Sequence, residues 1–358
     1  MCLNIRMRRP IGGFRRKAHT DVQRAIMSVT AKDIARELGL SQPTVSRILS
    51  GARGYRVSTS TRARVLEAAQ RLEYQPNAVA RSLRHGRTHS IGLYTVHDYD
   101  ARNDFLSALI AGLQRACNAN HLDLLMFAAF RDRSKEEIFN RLRDRRIDGL
   151  FLHATPDDPL VERLASSSLH VMALVDALPG IPSVTFDNAD GIRQLIEYSM
   201  ARGYRRFAFL APHQRLSSVE HRCRAFQDLL RERGVAESQL HIHRIHFEDV
   251  DAILPTLLES GKENPEQPLA VFCWNDRAAY NLLRRCQECG VRVPEELAVM
   301  GFDGFIDTKL PMRQLVTISC PWERLAATAM EILLRHMGGE EAAAETCLPV
   351  TLWPGDTA

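Results

Sequence analysis

The sequence predicts a small all-α headpiece followed by a larger α/β body of two lobes built on parallel, doubly wound sheets. Three observations predict it. Residues 28–50 hold two short helical patterns separated by a glycine. From Ser90 onward, short apolar runs alternate with amphipathic stretches, the pattern of strand–helix–strand units. The basic charge is concentrated at one end. Residues 1–26 carry seven Arg/Lys against one acid, residues 27–87 carry eleven against four, and the other 271 residues carry 29 against 38. That asymmetry suggests a module for nucleic acid or an anionic surface joined to a mildly acidic body.

Taken in order, residues 1–26 have positive charge without an apolar run, so they read as a basic, disordered leader rather than a secretory signal. The orderly sequence starts at Met27. Thr30 and Asp33 have the spacing of a capping box, and Ile34, Ala35 and Leu38 then repeat on one helical face. Gly39 stops that helix. Ser41 is suited to cap the next one, and Pro43 is tolerated because the first turn has no helical partners for its N–H groups. Two short helices around a glycine match a helix-turn-helix. A third helix of about 14 residues is expected from Thr59, capped by Ser58, with Val65, Ala69 and Leu72 inward. In YQPNAVARSLRHGRTHS, Pro76 breaks the chain, Asn77 can cap a short helix to His85, and Gly86 ends it.

The body then reads IGLYTV with FLSALIAGLQRACNA, LDLLMFAAF with EEIFNRLRDR, DGLFLHA with a short helix, VMALVD, GIRQLIEYSMARG with FAFLA, AVFCW with AAYNLLRRCQECG, and ELAVMGFD. The expected division is a leader at 1–26, a headpiece at 27–75, a hinge and linker at 76–88, and a body at 89–358. Lobe 1 is expected at about 89–186 and 316–342, and lobe 2 at about 187–315 and 343–358. A cleft between such lobes is the expected ligand site.

Several classes are disfavoured. No stretch approaches the roughly 18 apolar residues of a membrane span. The eight cysteines are scattered, and the single CxxC, Cys286 and Cys289, lacks a second pair, so reduced thiols in a cytoplasmic protein are expected, with no metal and no cofactor. His241, His243 and His246 alternate as on a strand without flanking ligands. Neither a catalytic histidine motif nor a phosphate loop is present, so the expectation is not an enzyme.

The second helix carries the chemistry. With Val45, Ile48 and Leu49 packed inward, Gln42, Pro43, Ser46 and Arg47 project outward near its start, where a recognition helix presents base-reading side chains. Gln pairs bidentately with adenine and Arg with guanine. Ser41, Thr44 and Ser46 are short hydroxyl donors suited to phosphate oxygens.

TAKDIARELGLSQPTVSRILSG and VSTSTRARVLEAAQRLEYQPNAVARSLRHGRT resemble the headpiece of the LacI/GalR family of bacterial repressors. IGLYTV, RRIDGLFL, FDNADG, HRCRAF, WNDRAA, CGVRVPEELAVMGFD and LVTISCPWERLAATAMEILL follow in family order, so the resemblance runs from about Val29 to about Leu352. It implies a periplasmic-binding-protein-like body and three partners: double-stranded DNA with a near-palindromic operator, a small effector of the sugar class, and a second copy of the chain. It places Gln42, Pro43 and Arg47 at base-reading positions. Asn77 to Leu83 becomes a hinge helix, with Ala80 small enough for two hinges to approach and Leu83 as a minor-groove wedge. Arg222, Asp303, Asn275 and Asp176 fall at effector-contacting positions, and Trp274 and Phe247 are candidate apolar faces for a sugar ring. The C-terminus lacks a leucine heptad helix, which favours a dimer over a tetramer. The chain departs from the family at Tyr204, Ala225 and Asn281, at its LWPGDT ending, and in SGARGYR, a slightly long loop after the second helix. The alternative reading is a free-standing sugar receptor or a sugar-modifying enzyme with a vestigial headpiece.

Overall fold

Three short helices close around six buried side chains in the headpiece: α1 (Ala31–Leu38), α2 (Gln42–Leu49) and α3 (Thr59–Arg71). The structure, a computed structural model, describes residues 29–51, 55–75, 86–96, 104–127, 132–246, 249–262, 267–305 and 314–358. It divides into two units, Met1–Gly86 and Arg87–Ala358.

The helix starts follow the sequence closely. Thr30 accepts from the Asp33 N–H while Asp33 accepts from the Thr30 N–H, a complete capping box. Gly39 takes a left-handed conformation (φ 64°), which returns its N–H to the last carbonyls of α1. Ser41 caps α2 and Ser58 caps α3. Ile34, Ala35, Val45, Ile48, Val65 and Ala68 form the core. Ala68 is the fully buried partner of Val65 on α3, whereas Ala69 and Leu72, expected inside, pack at the rim.

The second unit holds two six-stranded sheets. The first is ordered β11-β5-β4-β3-β1-β2, from β1 (Ser90–Thr95), β2 (Asp123–Met126), β3 (Gly149–His153), β4 (His170–Val175), β5 (Ser183–Phe186) and β11 (Glu345–Leu348). All its pairings are parallel. It is covered by α4 (Asp104–Ala119), α5 (Lys135–Leu142), α6 (Pro159–Ala165) and α11 (Trp322–Met337). The second is ordered β12-β10-β9-β8-β6-β7, from β6 (Arg206–Pro212), β7 (Leu240–Ile245), β8 (Leu269–Cys273), β9 (Leu297–Asp303), β10 (Val316–Ser319) and β12 (Thr351–Trp353). Only β12 runs antiparallel among its described pairings. Its helices are α7 (Asn188–Ala201), α8 (Ser217–Glu232), α9 (Val250–Lys262) and α10 (Asp276–Glu288). β3, β6, β8 and β9 are buried at every position, as parallel strands covered by helices on both faces require.

The chain passes between the sheets three times: after Phe186, between Ser319 and Trp322, and between Leu348 and Thr351. Two expected lobe boundaries move accordingly. Val316–Ser319 pairs with β9 and belongs to the second sheet, and Glu345–Leu348 pairs with β5 and belongs to the first. A short strand's partner is set by tertiary register, which a local pattern does not encode. No helix among the described residues is long and apolar enough to cross a membrane.

Candidate functional site

In the headpiece, α2 turns one face to the core and leaves the other outside. Val45 and Ile48 are buried, while Ser41, Gln42, Pro43 and Arg47 are exposed and Thr44 and Ser46 are half-buried. The cap explains why two hydroxyls sit where they do. Ser41 Oγ accepts the Thr44 N–H at 3.3 Å and lies 2.8 Å from Thr44 Oγ1. The Tyr55 hydroxyl donates to Thr44 Oγ1 at 3.2 Å, and the Arg47 guanidinium carbon lies 5.2 Å from the centroid of the Tyr55 ring. Tyr55 was not legible as a member of this face, because it reaches it from the loop after α2. Asn77, Ala80 and Leu83 lie outside the described residues, as does Phe247.

The second site is a cleft cavity of about 230 Å³ at the carboxyl ends of the strands, walled by both sheets' elements. The first sheet and its helices contribute Phe105, His153, Val175 and Asp176, and the second contributes Ser218, Arg222, Trp274, Asn275 and Asp303. The four effector positions implied by the resemblance, and Trp274 of the two candidate apolar faces, are therefore in one cavity lining. Strand ends explain the convergence: Asp176 follows β4, Trp274 follows β8, and Asp303 ends β9. Val175 and Asp303 have φ of 71° and 132°, strained values for non-glycine residues that sit where the chain turns at the cleft.

Asp176 is 1% exposed and fully engaged. Its Oδ1 accepts the Ser218 N–H at 2.8 Å and the Ser217 hydroxyl at 3.2 Å, so it caps α8, whose own N-cap residue Leu216 has no capping side chain. Its Oδ2 lies 3.1 Å from His153 Nε2. A carboxylate only accepts, so that nitrogen carries the proton, and His153 Nδ1 lies 3.3 Å from Thr95 Oγ1. Burial pushes the Asp176 carboxyl up, but the hydrogen bond and charge of His153 and the bonds from Ser218 prevail and hold it below its ordinary value.

Arg222, one turn into α8, is 4% exposed. Its Nε donates to Asn188 Oδ1 at 2.8 Å, a second nitrogen donates to the Trp274 carbonyl, and its Cζ lies 3.5 Å from the Phe302 ring centroid. Two buried carboxyls share its neighbourhood. Asp276 accepts from the Thr317 hydroxyl and, at 2.6 Å, from the Phe305 N–H. Burial raises it to about 7 against the pull of those bonds and of Arg222. Burial also lifts Asp303 well above its ordinary value, with Arg222 opposing and Asp276 adding to the rise. Gly301 makes room for Asp276: a Cβ there would fall within 2.1 Å of Asp276 Oδ1. The Asp303 carbonyl accepts from Trp322 Nε1 at 2.9 Å, and the Trp322 ring contacts Phe105, Phe186 and Phe305. Asn275 caps α10 through its Oδ1, which accepts from the Ala278 N–H at 2.9 Å.

Asp276, His153 and Asn188 were missed by sequence reasoning. Asp276 had a local signal, its place directly after Asn275, but its burial against Thr317 joins segments 41 residues apart. Among the described residues no group of three or more His, Cys, Asp or Glu could hold a metal ion, and Cys286 is buried while Cys289 is exposed at the end of α10.

The headpiece matches the family described as bacterial regulatory proteins, lacI family, over residues 30–77, and the core matches the periplasmic binding protein-like domain over residues 196–358. The HTH-type transcriptional repressor PurR of Photobacterium profundum is 30% identical over 316 residues, covering 86% of this chain and 92% of that protein. The catabolite control protein A of Priestia megaterium is 28% identical over 323 residues, 88% of this chain and 94% of its own length. A crystal structure of the lac repressor dimer, bound to operator and the anti-inducer ONPF, superposes with a TM-score of 0.77 at 24% identity, covering 92% of this chain and 99% of that one. With the PurR repressor 30% identical to it over 86% of its length, the chain belongs to the LacI family of bacterial regulatory proteins and is a DNA-binding transcription regulator rather than an enzyme.

Proposed function

We propose that the protein is a homodimeric repressor whose affinity for a near-palindromic operator is set by a small carbohydrate bound in the cleft. One observation carries the DNA half of this reading: Gln42, Pro43 and Arg47 are solvent-exposed on the first turns of a helix whose opposite face is the headpiece core. In the proposal Gln42 and Arg47 read base edges in the major groove, Pro43 makes an apolar contact, and Ser41, Thr44 and Ser46 meet phosphates. Asn77, Ala80 and Leu83 keep the hinge and minor-groove roles that the family resemblance implies.

The effector half is supported by the cleft's chemistry. The lining brings Arg222 and Arg277 together with Asp176, Asp303 and Asn275, so it offers many polar groups, and the Phe105 and Trp274 rings border it. Such a lining suits hydroxyl groups on a ring. Arg222, Asp303, Asn275 and Asp176 are the proposed polar contacts, with Trp274 and Phe247 as apolar ones. A ligand that prefers one arrangement of the lobes shifts the dimer between DNA-binding and released states, and only by its difference in affinity for the two.

The test is Arg47→Ala and Arg222→Ala in the full chain. Arg47→Ala should cost about 1–3 kcal/mol in operator affinity and relax preference at one base pair per half-site. A loss equal for every operator variant would make Arg47 a phosphate contact. Arg222→Ala should bind operator but no longer respond to effector, and a normal response would remove it from the ligand site.

A further inference from the structure

We propose that Tyr55 is a positioning residue for DNA reading, holding Arg47 and Thr44 of α2 in the geometry with which they meet the duplex. The inference rests on the proposed DNA-reading role of α2 and adds to it a residue from outside the recognition helix.

Tyr55 lies in the loop after α2, and it reaches back to α2 with both its hydroxyl and its ring. The hydroxyl donates to Thr44 Oγ1 at 3.2 Å, and Thr44 Oγ1 lies 2.8 Å from Ser41 Oγ. The ring sits 5.2 Å from the Arg47 guanidinium carbon, within the range at which the ring's quadrupole attracts a cation. One tyrosine thereby contacts two of the six proposed DNA-side residues, Thr44 and Arg47, and reaches a third, Ser41, through Thr44.

The chemistry of each contact suits positioning. Attraction through a ring face uses up no guanidinium N–H, so the five donors stay available for a base edge. An exposed arginine otherwise samples many rotamers, and fixing it beforehand lowers the entropy lost on binding. Thr44 is treated differently. Its Oγ1 is engaged by Tyr55 and Ser41, so its hydroxyl direction is fixed by neighbours rather than by the phosphate it meets.

Tyr55 also packs against the headpiece core at its edge, and a merely structural role would weaken binding to all sequences alike. The measurement must therefore be discrimination between sequences. Operator is first selected from a random duplex pool with the full-length wild-type protein. Affinity is then measured for that operator and all single-base-pair variants of a half-site, with wild type, Tyr55→Phe, Tyr55→Leu, Arg47→Ala and the double variant. Tyr55→Leu should lower discrimination at the pair read by Arg47 by about three- to tenfold and leave other positions unchanged. Tyr55→Phe, which keeps the ring, should retain that discrimination within about twofold. In the Arg47→Ala background, Tyr55→Leu should produce no further loss at that pair.

Equal weakening of every sequence by Tyr55→Leu would overturn the inference, as would equal loss of discrimination in Tyr55→Phe and Tyr55→Leu. If Tyr55→Leu does not fold, Tyr55→Phe decides: loss of discrimination with the ring intact contradicts the role given to the ring, and retention supports it. If Arg47→Ala weakens all sequences equally, the base-reading role of Arg47 fails and the Tyr55 inference fails with it. If Arg47→Ala acts at one pair and Tyr55→Leu does not, the Tyr55 inference alone fails.

Discussion

Arg222 sits among groups that cannot all be charged without cost. Asp276 and Asp303 are both buried and both feel the one Arg222 guanidinium, whose carbon lies 3.5 Å from the Phe302 ring centroid. For Asp276 the consequence is a pH dependence with a definite sign. Its carboxyl is raised from 3.8 to about 7 in the folded protein, so the folded state holds a proton that the unfolded state has released. Stability from this group is present below the unfolded value and is lost progressively as pH rises from about 4 to about 7. Asp276→Asn, which cannot ionise, should gain on the wild type by at most about 1.4 kcal/mol per pH unit across pH 5 to 7 in denaturant titrations. A difference that stays constant across that range would mean that Asp276 does not titrate there. Asp176 has the opposite sign: its carboxyl is held low, so its contribution is lost only on acidification below the ordinary carboxylate range.

At the scale of elements, the helix starts were the most legible part of the fold. Thr30, Ser41 and Ser58 each cap the helix expected of them, because capping is a contact between residues three apart. Ser41→Ala should therefore cost about 1 kcal/mol of headpiece stability. Hydrogen exchange should then quicken about fivefold in α2 without changing in the core strands, and unchanged protection would mean that the Ser41 cap carries no energy. The long strands of the body were equally legible as apolar runs. What escaped was what depends on distant partners. β5 and β11 are four residues each; β5 pairs with both β4 and β11, and β11 takes its place in the sheet only through that distant pairing with β5. Helix α9 carries Pro255 inside it, which reads locally as a break. The candidate site divides in the same way: Arg222, Asp303, Asn275, Asp176 and Trp274 could be named from motifs, whereas Tyr55, His153 and Asp276 matter through contacts that only the folded chain makes.

For the whole molecule, the charge asymmetry and the two-sheet core describe one device. A basic end with an exposed helix face binds a polyanion, and an acidic body with a buried polar cleft binds something small. Operator binding should weaken steeply with salt, in proportion to the phosphates neutralised. The central claim is that the cleft controls the helix face. Selection of bound duplexes from a random pool, repeated with individual sugars, sugar phosphates and purines, tests it most directly. The expected result is a near-palindromic site that is enriched by the protein alone and lost with a sugar. Failure to enrich any site under any condition would contradict the reading of Gln42, Pro43 and Arg47, and a site indifferent to every compound in the panel would contradict control of DNA binding by a sugar in the cleft.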